Sequence, residues 1–418
     1  VFLPTLKNLG SLYRLEEKLS EAEITYRRAL NIAEKTKGPE DISVVQPLND
    51  LALVLRAEGK DQEAEPLLSR TVQVLEKSAG AFNPSVAVAL NNLAVLYRDQ
   101  KRWTDACAAY EKIVAIRKQA FGPNSQEYAA TLNNFSAVYR QQQKFEQAEP
   151  LLRESLTIVE KLYGTTSEKI VISINNLALV QREQQNYTGA ESLYKRTLEI
   201  CQKLYGDDSL EYASAEQNLG DLYLEQQKYE LAEPLYKSVL AIQEKKYGPD
   251  SSELSDTLNK LTELYREERN YDQAEVFGKR VLSNLESKYG ANNASVARGA
   301  SNLGLIFREE GKISDAEGLL KRTVTIEEAA GSDVSPTELA NSMNNLARLY
   351  REQGKYEASE ALYKKSLALK EQAFGPDSLN VAVSLRNYAI LLNKMHKDDE
   401  AEKLNKRASL IEDKQDSN

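Results

Sequence analysis

Apolar residues recur along this chain in short runs at helical spacing, and the runs come in pairs. Between Asn83 and Gly122, Val86, Leu90, Leu93, Ala94 and Tyr97 fall on one stripe of a helix, and Ala106, Tyr110, Ile113 and Ile116 fall on one stripe of a second. The same pair of stripes returns throughout the sequence. Its clearest marker is a small residue at Ala22, Ala64, Ala106, Ala148, Ala190, Ala232, Ala274, Ala316, Ser359 and Ala401, with a step of 42 residues everywhere except the step of 43 into Ser359. A fixed period of this length marks units that bury their apolar faces only against their neighbours. The pattern predicts an all-α fold, a right-handed superhelical α-solenoid of about ten helix-turn-helix units. It would be a single array over 1–418, with repeats near 1–40, 41–82, 83–124, 125–166, 167–208, 209–250, 251–292, 293–334, 335–377 and 378–418.

The punctuation between stripes supports these boundaries. Gly38, Gly80, Gly122, Gly164, Gly206, Gly248, Gly290, Gly331 and Gly375 each follow a second helix, where a left-handed C′ residue is expected. Just beyond them, Asp41, Asn83, Ser125, Ser167, Ser209, Ser251, Asn293, Ser335 and Ser378 are expected N-caps of the next first helix, with Pro84 and Pro336 at its opening position. Pro66, Pro150 and Pro234 are expected at the starts of second helices, where amides have no intrahelical partner to lose. A second small column, Gly10, Ala52, Ala94, Ser136, Ala178, Gly220, Thr262, Gly304, Ala347 and Ala389, is expected to face the alanine column where the two helices cross. The extra residue lies within Ala329–Ser342 and marks a candidate hinge, and the polar ending IEDKQDSN is expected to fray or cap the array.

Composition narrows the function classes. The net charge is -9 with a pI near 5.2, which argues against nucleic acid or an anionic membrane as the main partner. No apolar run approaches the roughly 18 residues that span a bilayer. The only two cysteines, Cys107 and Cys201, sit two repeats apart with no metal-ligand spacing, so a reduced, cytoplasmic setting is expected. His396 is the sole histidine, so neither a histidine metal site nor a serine-histidine triad is expected around it, and no phosphate-cradling glycine loop is present. Glu23, Glu65, Glu149, Glu191, Glu233, Glu275, Glu317, Glu360 and Glu402 stand near second-helix starts, where carboxylates favour the helix dipole; an acid repeated once per unit is not a catalytic one. Trp103 shares its column with Phe145, Tyr187, Tyr229, Tyr271 and Tyr356 and reads as packing. No catalysis, cofactor or metal is expected. The sequence opens at Val1, almost within repeat sequence, so any targeting segment lies outside it.

The phrases LNNLAVLYR (Leu90–Arg98), YELAEPLYKSVLAIQEKKYGPDS (Tyr229–Ser251) and YREQGKYEASEALYKKSLALKEQAFGPDS (Tyr350–Ser378) resemble the tetratricopeptide repeat (TPR), and specifically the longer repeats of kinesin light chains and of bacterial kinesin-light-chain-like proteins. The resemblance covers essentially the whole chain. It implies a cargo-peptide groove on the first helices that accepts peptides with an aromatic residue among acids. The chain departs from the light chains in carrying Ser125, Ser251 and Ser378 where a turn histidine is usual. It also has no heptad segment, so association with a motor heavy chain does not follow.

A second stripe on the first helices points away from the core. At 100° per residue, Asn91 and Arg98 lie about 20° apart on that face. The upper column is Asn49, Asn91, Asn133, Asn175, Asn259 and Asn344, and the lower is Arg56, Arg98, Arg140, Arg182, Arg266, Arg308 and Arg351, with Arg14 at its start. Asparagine can clamp a peptide amide with a donor and an acceptor, and arginine can fork a carboxylate. The adjacent column, including Asn92, Asn134 and Asn176, points toward the neighbouring repeat, where inter-repeat hydrogen bonding is its expected role. The expected function is a scaffold for protein or peptide ligands held on a concave wall, extended and acidic in character. The alternative is a sensory or regulatory arm of a larger signalling protein.

Overall fold

The structure, a computed structural model, describes residues 2–416. Val1, Ser417 and Asn418 lie outside the described residues, and with them the end of the tail expected to cap the array. The leading helices are α1 (Phe2–Leu15), α3 (Val45–Ala57), α5 (Pro84–Asp99), α7 (Gln126–Gln141), α9 (Glu168–Glu183), α11 (Leu210–Glu225), α13 (Ser255–Glu267), α15 (Ala294–Glu310), α17 (Pro336–Glu352) and α19 (Leu379–Lys394). The trailing helices are α2 (Leu19–Lys37), α4 (Asp61–Ala79), α6 (Trp103–Phe121), α8 (Phe145–Tyr163), α10 (Tyr187–Tyr205), α12 (Tyr229–Tyr247), α14 (Tyr271–Tyr289), α16 (Ile313–Ala330), α18 (Tyr356–Phe374) and α20 (Asp398–Asp416). No strand occurs among the described residues. The chain divides into two compact units, 1–206 and 207–418. Each is an all-α solenoid of helix pairs, every pair packed on the next.

The predicted caps set the boundaries. All nine expected N-cap side chains accept a backbone N–H two or three residues on, and Ser335 and Glu338 complete a capping box; Asp41 and Ser251 do so at the head of 3-10 turns, Ile42–Val44 and Ser252–Leu254, that run into α3 and α13. The glycine stops differ from the expectation. Gly80 has φ 90 and ψ 148, and Gly164 has φ 80 and ψ 173, so they occupy the positive-φ extended region and not the left-handed helical one. A side chain tolerates that region even less, so the demand for glycine stands on a different ground. The left-handed residues sit instead in the turn inside each pair. In seven repeats they are not glycine: Glu17, Lys101, Gln143, Gln185, Gln227, Arg269 and His396 have φ between 57 and 60. The inserted residue is absorbed after α16 by a 3-10 turn over Gly331–Asp333.

The prolines also require a correction. Pro66, Pro150 and Pro234 are the sixth residues of α4, α8 and α12, beyond the first turn whose amides are unpaired. Each therefore removes an intrahelical bond to the carbonyl four residues back, at Gln62, Glu146 and Glu230. All three of those residues are exposed, so water can satisfy the freed oxygen.

The alanine column is buried throughout. At repeat nine the crossing is close enough for Ser359 Oγ to donate to the Ala347 carbonyl at 2.7 Å. The small column of the leading helices also faces the large residue one turn after the alanine. A Cβ on Gly220 would stand 3.1 Å from the Tyr236 ring, and where the leading helix carries Thr262 the trailing helix carries Gly278, whose Cβ would lie 3.7 Å from the threonine methyl. Volume is thus exchanged across the crossing.

The glutamate column does more than favour a dipole. Glu23 accepts from Lys60, Glu65 from Arg102, Glu275 from Lys312, Glu317 from Lys355 and Glu360 from Lys397, at 2.5–2.9 Å, each bridging one repeat to the next. Hydrogen bonds from Lys60 and Arg27 hold the Glu23 carboxyl down at about 2. Those from Lys321 and Lys355 do the same for Glu317, and those from Lys364 and Lys397 for Glu360, both also at about 2.

Candidate functional site

The asparagine and arginine columns lie on the leading helices because each helix buries its leucine stripe and so turns these positions outward. Asn49, Asn91, Asn133, Asn175 and Asn344 are half-buried, and Asn259 is exposed. Part of their hydrogen-bonding capacity is spent within the fold. Asn92 Nδ2 donates to Asn49 Oδ1 at 2.6 Å, joining two repeats. The Thr197 hydroxyl donates to Asn175 Oδ1 at 3.0 Å, and Asn133 Nδ2 donates to Ser173 Oγ at 3.4 Å. The Tyr110 hydroxyl donates to Asn91 Oδ1 at 3.4 Å. Asn133 Oδ1 and Asn344 Oδ1 have no hydrogen-bond partner in the protein.

The arginines are more heavily engaged. Arg56 pairs with Asp99 at 2.7 Å, Arg140 with Glu183 at 3.0 Å and Arg266 with Glu309 at 3.1 Å, each partner one repeat onward. Arg308, with a side chain 8% exposed, lies 3.9 Å from Glu352 and 3.7 Å from Glu309; burial and the neighbouring Arg348 push its pKa down. At the equivalent position after Arg98 the chain has Gln141, and Arg98 turns to Asp99 of its own repeat at 2.9 Å. Arg182 is also engaged. After Arg351 the acid is replaced by Lys394, and Arg351 Nη1 is left without a partner.

Between successive leading helices the surface opens into pockets that the columns alone do not foretell. One, of 350 Å³, is lined by Val88, Asn91, Asn92, Arg117, Gln126, Glu127, Ala130 and Asn134 among others. The next, of 380 Å³, is lined by Gln126, Ala130, Asn133, Asn134, Tyr163, Lys169, Ile172 and Asn176. In the second unit a pocket of 310 Å³ takes in Glu253, Asn259, Lys288, Tyr289 and Arg298. The structure therefore brings Asn91, Asn133 and Asn259 into pockets, together with Asn92, Asn134 and Asn176 of the adjacent column. Sequence reasoning passed over Arg117, Tyr163, Lys169 and Ile172. The available signal was an aromatic residue that recurs before the inter-repeat glycine, at Phe121, Tyr163, Tyr205, Tyr247, Tyr289 and Phe374.

Helix pairs stacked in series, with their outward polar columns on one set of helices, define a helical-repeat protein of the kind that binds other proteins. The chain belongs to the tetratricopeptide repeat family, whose model matches residues 2–77, 85–161, 170–245, 219–287 and 338–409. TPR repeat proteins are in general non-catalytic scaffolds that bind protein or peptide partners. Among solved structures, the apo form of RapI is 18% identical with a TM-score of 0.53, covering 89% of this chain and 98% of that one. A Signal Transduction ATPase with Numerous Domains that carries a tetratricopeptide repeat sensor, from Pyrococcus horikoshii, is 15% identical with a TM-score of 0.52; the match covers 91% of this chain and 55% of that one. The nearly identical TPR-like repeats of a kinesin light chain-like protein from Podosopora anserina are 22% identical with a TM-score of 0.45, covering 49% of this chain and 96% of that one. No curated protein matches the chain. No described helix is long and apolar enough to cross a membrane.

Proposed function

We propose that this protein is a non-catalytic scaffold that binds extended, acidic, aromatic-containing peptide segments along the leading-helix face of its units. The observation that supports this reading is polar capacity left unused beside open pockets on that face: Asn91, Asn133 and Asn259 line pockets, and Asn133 Oδ1, Asn344 Oδ1 and Arg351 Nη1 have no partner in the protein until their side chains turn outward to a ligand. Leaving such a group unpaired costs about 1–3 kcal/mol, which a ligand amide or carboxylate recovers on binding. The paired arginines Arg56, Arg98, Arg140, Arg266 and Arg308 serve this face by fixing the spacing of successive repeats, whereas Arg351 and the asparagines make the contacts.

The test is capture on an array of acidic peptides followed by titration of the hits against Asn133→Ala, Asn344→Ala and Arg351→Ala variants. Each substitution is expected to weaken the hits that cover its repeat by about three- to thirtyfold, the equivalent of one hydrogen bond to a charged or polar group. Unchanged affinity in all three variants would show that peptides bind elsewhere.

A further inference from the structure

The face is not uniform along the chain. One column, three residues before the asparagines, reads Val88, Ala130 and Ile172 in repeats three to five but Ser214, Asp256, Arg298 and Asn341 in repeats six to nine. Val88 is 55% exposed and Ile172 66%, a large apolar exposure for mid-helix residues that no packing demand explains. These residues line the two contiguous pockets of the first unit, which share Gln126, Ala130 and Asn134.

Each of the two pockets also holds a cation that no acid pairs with. Lys169 is the only charged residue lining the second pocket, and its ammonium stands 4.0 Å over the Tyr163 ring. Arg117 in the first pocket lies 5.3 Å over the Phe121 ring, and the nearby Glu127 makes no ion pair with it. Neither cation has an ion-pair partner among the described residues, on a surface where most basic side chains do. The pocket of the second unit differs: Lys288 lies 3.4 Å from Glu253 and Arg298 lies 3.2 Å from Glu338, so its cations are neutralised within the fold.

We infer that repeats three to five form the selective segment of the face, taking an extended peptide with apolar side chains at positions i and i+3 and a carboxylate beside each. The spacing follows from geometry. Adjacent leading helices are in contact, as the Asn92–Asn49 bond and the Arg140–Glu183 pair show, which sets them about 8–10 Å apart. In the polyproline II conformation, which rises about 3.1 Å per residue and repeats every three residues, i and i+3 point the same way about 9 Å apart, so three residues carry one side chain from a pocket to the next. The apolar side chains sit on Val88, Ala130 and Ile172, and the carboxylates meet Arg117 and Lys169. The amide groups of the asparagines between them that the fold does not use hold the peptide backbone without reading its side chains. This placement rests on the reading of the face as a peptide groove.

The test is fluorescence-polarisation titration of the whole chain with labelled acidic peptides that carry two leucines or two tryptophans at i,i+2, i,i+3 or i,i+5. The i,i+3 peptides are expected to bind at least tenfold more tightly than the other spacings. That preference should vanish in Ile172→Asp and Lys169→Glu, and persist in Val383→Asp, which alters an equally exposed valine of the second unit. Thermal melts of the three variants confirm that the surface changes leave the fold intact. If peptides bind with equal affinity at all spacings, or if Ile172→Asp and Lys169→Glu bind as the parent does while Asn344→Ala and Arg351→Ala do not, the groove stands and this placement falls. If no acidic peptide binds at any spacing, the placement and the groove fall together.

Discussion

Glu216 stands in a column that is apolar in every other repeat: Leu6, Leu48, Leu90, Leu132, Ile174, Leu258, Ala300, Met343 and Leu385. It is 5% exposed, and one of its carboxylate oxygens has no partner. Burial drives its pKa up, with a hydrogen bond to Ser238 opposing the shift. A carboxyl whose folded pKa exceeds its unfolded one destabilises the fold above the unfolded value and ceases to do so once pH falls below it. Glu216→Leu is therefore expected to raise stability at pH 7 by about 1–3 kcal/mol, with a gain that shrinks as pH falls towards about 4.5 and changes no further below it. Denaturant melts of the two proteins at pH 7 and pH 4 check both statements; a stability equal to the parent's at pH 7 would mean that Ser238 fully solvates the carboxylate. Most single positions of this kind are legible in the sequence, because ten copies of one unit reveal what each column demands. Glu216 was not picked out, since a column read for its majority hides its exception.

Two kinds of positive-φ turn alternate along the elements, and they differ in what they tolerate. The turn between repeats uses φ of 78–94 with extended ψ, and eight of the nine glycines there have this geometry. The turn within a repeat is left-handed helical, and Gln143 holds it at φ 58 where Gly59, Gly311 and Gly354 hold it elsewhere. A non-glycine side chain there costs about 1–2 kcal/mol, part of which returns to glycine's larger unfolded-state entropy. Gln143→Gly is thus expected to stabilise the first unit by about 0.5–1 kcal/mol, whereas Gly80→Ala costs about 1–3 kcal/mol because its region admits almost no side chain. Urea midpoints of the two variants against the parent decide the matter, and a stabilised Gly80→Ala would contradict the geometry. The ends of the trailing helices and the starts of most leading helices could be read from stops and caps, which act locally. The ψ of each glycine could not, because it is set by the path between two packed pairs. The same limit explains Pro66, Pro150 and Pro234, whose helices begin five residues earlier than their sequence signal suggests.

Across the molecule, side chains that look alike from one repeat to the next divide into joints and contacts, and only partners in space tell them apart. The arginine column was legible as an outward ladder, but its pairing with acids 43 residues on depends on which residue the next repeat offers. Asp99, Glu183 and Glu309 close the ladder, while Lys394 leaves Arg351 open. The pockets were not legible, because they form between leading helices of different repeats and draw Tyr163 from a trailing one. The joints carry a pH signature of their own. Glu23, Glu317 and Glu360 have folded pKa values of about 2, below the ordinary 4.5, because lysine and arginine donors hold the charged form. For a carboxyl with a depressed folded pKa, the stabilisation is complete above the unfolded value and disappears as pH falls through the folded one. The window therefore runs from about pH 4.5 down to pH 2. The lysines are partly exposed, so solvent screening reduces each clamp to roughly 0.5 kcal/mol, and a loss of 1 kcal/mol lowers the melting midpoint of a unit this size by about 2–4 °C. The clamps' contribution, read as the gap in midpoint between the parent and a variant lacking the three carboxylates, should be constant from pH 7 to pH 5 and shrink steadily below pH 4.5. A Glu23→Gln, Glu317→Gln, Glu360→Gln triple variant should start lower and fall less over the same range. If the triple variant loses stability in acid as steeply as the parent, the acid sensitivity belongs to other carboxylates and the clamps contribute nothing to holding the repeats in register.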